Sequence, residues 1–166
     1  MNNKTEAQVL AEAFESVRNL TKFYLQNLKE EDVHKQYEIN GVKMNSAYWI
    51  TAHLVWSEYM LIIEGLGGKE IDIPWLNDFG FGSKDESKDN RPPYSEVLEK
   101  MDLVHEQAMN LLKSQTDEQL GEPNLVNATF GQSNEKRAIV RHCIRHEPMH
   151  VGQISWIIKA SGGKMV

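Results

Sequence analysis

Apolar residues recur along this chain at intervals of three and four rather than two, the spacing of helices with one buried face. In the first such segment Val9, Leu10, Ala13, Phe14, Val17, Leu20, Tyr24, Leu25 and Leu28 form one stripe. Thr5 with Gln8 three residues later matches a capping box, so a helix is predicted over residues 5–28. The stretch 29–43 is polar, and Asn40-Gly41 within it signals a turn with short β or coil around it. A second helix is predicted over 45–66, with Trp49, Ala52, His53, Trp56, Met60 and Ile63 on one face. It is apolar most of the way round, which predicts the most buried helix of the fold. Gly67-Gly68 stops it.

The next connection, residues 67–92, holds Pro74, Trp75, Phe79, Gly80, Phe81 and Gly82 before a charged run. Irregular connections of this length are often functional, and its aromatics are expected to fold over one end of the domain. A third helix follows Pro92-Pro93 and ends near Lys113, with Tyr94, Val97, Leu98, Met101, Val104, Ala108, Leu111 and Leu112 as its stripe. A loop over 121–133 leads to a fourth helix over 134–161, stopped by Gly162-Gly163. No segment alternates convincingly for a sheet. The expected fold is all-α, a four-helix bundle forming one domain over residues 1–166. The long connection can carry the chain along the bundle, so the second and third helices can run parallel.

Charge and composition narrow the function classes. The chain has 18 Lys+Arg against 24 Asp+Glu, a net charge of -6, and no basic run, which argues against nucleic acid as a partner. The most apolar stretch, 47–63, is broken by Thr51, His53, Ser57 and Glu58, whereas a membrane span needs ~20 mostly apolar residues. The first residues lack the apolar core of a signal peptide, so a cytoplasmic protein with no membrane partner is expected. The single cysteine, Cys143, excludes an intrachain disulfide and a site of several Cys ligands. No cationic cluster or preceding helix N-terminus activates Cys143, so an inert buried thiol is expected.

The candidate chemistry lies in the histidines. His142, His146 and His150 are spaced by four on the fourth helix, and His53 sits on the apolar face of the second. Spacing of four stacks two imidazoles ~40° and ~6 Å apart, so both can bind one ion. Residues eight apart differ by ~80° and ~12 Å, so one ion cannot take all three. The pair is His142 with His146 or His146 with His150, and a third ligand must come from another helix, with His53 the obvious candidate. Alternatively, His53 donates to a carbonyl in the core. His34 and His105 are expected to be solvated surface residues.

The segment Arg145-His-Glu-Pro-Met-His-Val-Gly-Gln-Ile-Ser-Trp resembles the last-helix signature of the DinB-like superfamily, the DinB/YfiT-like metalloenzymes. The matching residues are His146, His150, Gly152, Gln153, Ile154 and Gly162, and Ala52-His53-Leu54-Val55-Trp56 is similar to the family's second-helix motif. The resemblance implies a bundle of up-down-down-up topology, a homodimer, and a divalent metal, zinc or nickel, held by a histidine triad. Carried over position by position, the triad is His53, His146 and His150, with His142 outside it. Relatives with this triad include bacillithiol S-transferases and mycothiol-dependent maleylpyruvate isomerase, which implies a low-molecular-weight thiol as cofactor and a small-molecule electrophile as substrate. Hydrolysis at the metal and a non-catalytic metal-holding bundle are the alternatives.

Around the triad, Trp56, Met60 and Trp75 are expected to wall a pocket, with the electrophile under the 75–81 loop. Gln153 either orients a metal-bound water or is a polar tail. Gly152 is expected to serve close packing. Glu147 points ~100° from its neighbour His146 and is not assigned as a base. Pro148 cannot donate to the Ile144 carbonyl, so a kink or widened turn is expected near 144–148, with a freed carbonyl available to a ligand's other ring nitrogen.

Overall fold

The computed structural model describes residues 4–86 and 91–164. The chain runs through α1 (Glu6–Gln26), a hairpin of β1 (Glu38–Ile39) and β2 (Val42–Lys43), α2 (Ala47–Glu58), α3 (Tyr94–Lys113), a short α4 (Asp117–Leu120) and α5 (Lys136–Ala160). Local chemistry sets most of these boundaries. Gln8 N–H donates to Thr5 Oγ1 at 3.3 Å while Thr5 N–H donates to Gln8 Oε1 at 3.1 Å, completing the capping box of α1. Ser46 caps α2 by accepting from Trp49 N–H. Asn40 and Gly41 both adopt positive φ, 52° and 77°, as the two-residue turn between β1 and β2 requires.

The four long helices form the expected bundle. α1 packs against α5 and α3, and α2 packs against α3 and α5. Glu6 of α1 pairs with Arg137 and Arg141 near the start of α5, while Tyr37, beyond the end of α1, bonds Ser161 beyond the end of α5. These two helices are therefore parallel. Thr51 meets Tyr94 and Glu58 meets His105, so α2 and α3 are parallel too. This is the up-down-down-up order, and it requires the long connection between α2 and α3.

α2 is buried on every side: all but Trp56 of its residues are buried. It continues into a π-helical turn, Tyr59–Glu64, which widens the helix. The widening expected around Pro148 is absent; α5 stays α-helical from Lys136 to Ala160. A widened turn does occur in the bundle, on the facing helix instead.

The buried face of α1 differs from the predicted stripe. Ala7, Ala11, Phe14, Arg18 and Thr21 are buried, whereas Val9, Ala13 and Leu20 are exposed. The reason is a charged cluster in the core. Arg18 is fully buried; its Nε donates to Glu147 at 2.8 Å, Nη2 to Glu58 at 2.6 Å and Nη1 to the Met101 carbonyl at 3.1 Å. Thr21 donates to Glu147 at 2.5 Å, and His105 Nδ1 meets Glu58 at 2.7 Å. His105, expected at the surface, is therefore a buried residue, packed edge-on against Phe14. Burial works against the charge of Glu58, but Arg18 and His105 outweigh it and hold the carboxyl below the ordinary range. His34 is exposed as expected.

Candidate metal centre

Because α2 and α5 run antiparallel, the middle of one faces the middle of the other. His53 on α2 and His146 and His150 on α5 each bring a ring nitrogen to within 4.8 Å of the other two. The two Nε2 atoms of α5 are 3.1 Å apart. Ligand bonds of ~2.0–2.1 Å in a tetrahedral zinc site imply a nitrogen–nitrogen separation of about 3.3 Å, so this pair fits one ion. The rings of His53 and its partners sit edge to face, with centroids 5.4 Å from His146 and 5.0 Å from His150. No carboxylate or thiol joins the cluster among the described residues.

The outer nitrogens orient two of the rings. His53 Nδ1 lies 2.7 Å from the carbonyl oxygen of Phe79, which can only accept. The proton is therefore on Nδ1, and Nε2 keeps a lone pair. His150 Nδ1 is likewise 2.9 Å from Gln153 Oε1. The partners are thus a loop carbonyl and a glutamine, not a carbonyl freed by Pro148. His146 Nδ1 is buried and has no partner among the described residues.

The environment keeps all three imidazoles neutral, the form that binds metal. Burial lowers the pKa of His53, and burial with the neighbouring histidines lowers that of His146 to about 3. Burial also lowers that of His150, against the bond from Gln153. His53 is stacked between Trp49, at 4.9 Å, and Trp56, at 5.5 Å.

The remaining predicted residues fall into place around this centre. His142 lies outside the triad, stacked on Phe130 at 3.6 Å. Glu147 points away, held by Arg18. Cys143 is buried, and burial pushes its thiol pKa well up. Gln153 bonds the His150 ring rather than forming a free polar tail. Met60 is half-buried in the π turn. Trp75, the first residue of the loop, packs edge-on to the Phe79 ring and donates to Glu96 at 2.8 Å, which anchors the loop to α3.

A Cβ on Gly80 would lie 3.2 Å from the Trp56 indole, so the 75–81 loop packs against Trp56 at that residue. One expectation is corrected. Gly152 is exposed, and a Cβ there would meet nothing within 4 Å, so it is not a close-packing residue. Sequence reasoning missed Arg18, Thr21, Glu58 and His105 as a unit. The available signal was the spacing of Ala7, Ala11, Phe14, Arg18 and Thr21, a regular helical row containing one charge.

No helix among the described residues is long and apolar enough to cross a membrane. The DinB superfamily profile matches residues 13–154. A DinB-like protein from Bacillus cereus ATCC 10987 superposes with a TM-score of 0.69 at 16% identity, covering 95% of this chain and 93% of its own. YfiT from Bacillus subtilis, described as a probable metal-dependent hydrolase with an unusual four-helix bundle topology, gives 0.65 at 16% identity, covering 99% and 93%. No functionally curated protein matches the sequence. The match over most of the chain identifies it as a member of the DinB superfamily.

Proposed function

We propose that this protein is a metal-dependent transferase that joins a low-molecular-weight thiol to an electrophilic small molecule. One divalent ion, zinc or nickel, would be held by His53, His146 and His150. The observation that carries this reading is a cluster of three neutral imidazoles with no carboxylate or thiol to close it among the described residues. Bound there, such an ion would supply the Lewis acidity that makes a thiol or a water easier to ionise near neutral pH.

The protein's own residues suit that task. Phe79 and Gln153 fix the rings of His53 and His150, and Trp49 and Trp56 exclude water from the His53 side. The carboxylate nearest in sequence, Glu147, is engaged by Arg18 and Thr21 and cannot act as a base. A thiol ionised by the metal needs no such base. Peptide or ester hydrolysis is normally helped by a proton donor at the leaving group, which the cluster does not offer.

Hydrolysis is the second reading, favoured by the description of YfiT. The test is consumption of small thiols in the presence of electrophiles, with zinc- and nickel-loaded protein and with His150→Ala. Thiol-dependent turnover lost in the variant supports transfer. Thiol-independent cleavage of ester or amide substrates would overturn it in favour of hydrolysis. Bound metal with no turnover of either kind would leave a metal-holding bundle.

A further inference from the structure

The groove between α2 and α5 does not end at the histidines. One turn beyond His53 lies Ile50, and one to two turns beyond His150 lie Gln153, Trp156 and Ile157. The hairpin of β1 and β2 closes over this part of the groove. The result is a cavity of about 440 Å³, within the range of small-molecule sites. Its walls are apolar, and they concentrate exposed apolar surface that the fold leaves uncovered: Ile39, Met149 and Trp156 are 41%, 68% and 43% exposed. Gly152 forms open floor, since a Cβ there would meet nothing.

The two ends of the cavity differ in chemistry. At the near end, Gln153 is bonded to His150, so the cavity and the metal centre share a residue. The far end, beside the start of α2, is lined by Lys43 and Asn45. Among the described residues the Lys43 ammonium has no carboxylate within salt-bridge distance, although Glu38 lies opposite on β1.

We infer that this cavity binds the substrate as a small amphipathic anion, with its apolar body against Trp156 and Ile50, its negative group at Lys43, and its reacting end at Gln153, which bonds His150. The inference rests on the metal-centre reading for the reacting end only. Lys43 supplies charge complementarity, and Gln153 supplies continuity with the site. The concave shape suits a small molecule rather than a second copy of the chain.

Octanoate, octanol and octylamine are the probes, titrated calorimetrically into the protein as purified and after zinc loading. Wild type is expected to prefer octanoate. Lys43→Glu, on an exposed hairpin and safe for folding, should weaken octanoate about tenfold and improve octylamine, as expected for one charge contact. Gly152→Leu should fill the floor and abolish all three while circular dichroism and zinc content stay unchanged.

Equal binding of the three probes would overturn the anionic class. Octanoate binding that survives Gly152→Leu would overturn the location. A wild-type dimer that dissociates in Gly152→Leu would assign the face to a second copy instead. Octanoate bound as expected by a protein that takes up no zinc would leave this cavity standing and sink the metal reading.

Discussion

Arg18 holds Glu147 through two hydrogen bonds, from Nε at 2.8 Å and from Nη2 at 3.0 Å, across the interface of two parallel helices. The contact turns the carboxylate beside His146 into the core and away from the histidine cluster. It also keeps a charge in a place that only a well-paired charge tolerates.

Removing that guanidinium should be among the most damaging changes in the protein. Arg18→Met is expected to cost about 3–5 kcal/mol, because Glu147 and Glu58 stay buried without the guanidinium, with only Thr21 and His105 left to bond them. The measurement is the urea midpoint at neutral pH. A loss below about 1 kcal/mol, the level of an exposed ion pair, would show that the cluster rearranges or takes in water.

Gln153 is expected to tune the metal rather than bind it. Gln153→Ala should weaken zinc by ~10–100-fold while leaving one ion per chain, as loss of a ligand's outer hydrogen bond does. His53→Ala, His146→Ala or His150→Ala should lose the ion altogether. Competition with a chromophoric chelator separates the two behaviours. An affinity unchanged by Gln153→Ala would mean that the His150 ring is held by packing alone.

The metal-free protein should become less stable in acid. The pKa of His146 is about 3 in the fold and near 6.5 when exposed, so the unfolded chain binds the proton more readily. Its contribution to stability is full above pH ~6.5 and is lost as pH falls from there toward 3. Thermal melts of chelator-treated protein between these limits should show a declining midpoint, and His146→Gln should flatten the decline. A profile identical in the variant would place the acid sensitivity elsewhere.

Cys143 should be silent toward thiol reagents. It is buried, and its thiol pKa is raised by burial and by Glu58 and Glu147, so little thiolate exists at neutral pH. A chromogenic disulfide reagent should react only after denaturant is added. Rapid reaction in the native state would reveal an opening of α5.

The parts of this fold readable from sequence are those decided within a few residues. Thr5 and Gln8 cap α1 between themselves, and Asn40-Gly41 turns the hairpin by its own backbone preference. His146 and His150 are adjacent because one helical turn makes them so. What escaped reading depends on partners far along the chain. Arg18 is an ordinary surface residue by type, and Glu58, Met101 and Glu147, at separations of 40, 83 and 129 residues, make it a core one. The same holds for His105, whose burial follows from Glu58 on another helix. Gly152 looked like a packing glycine because helix contacts usually need small residues, but no neighbour faces it. The predicted stripe of α1 was displaced because polarity was read as a sign of solvent.

The bond from His53 to the Phe79 carbonyl ties the histidine centre to the short 3-10 turn Leu76–Phe79, outside the four long helices. Thermodynamic reciprocity then applies: whatever the seated loop adds to the affinity for metal, bound metal must add to the seating of the loop. Loss of the ion would loosen residues around Phe79 and bare the peptide bonds near Phe81, which is already 94% exposed. Protease susceptibility of this segment would therefore report how well the protein is supplied with its metal.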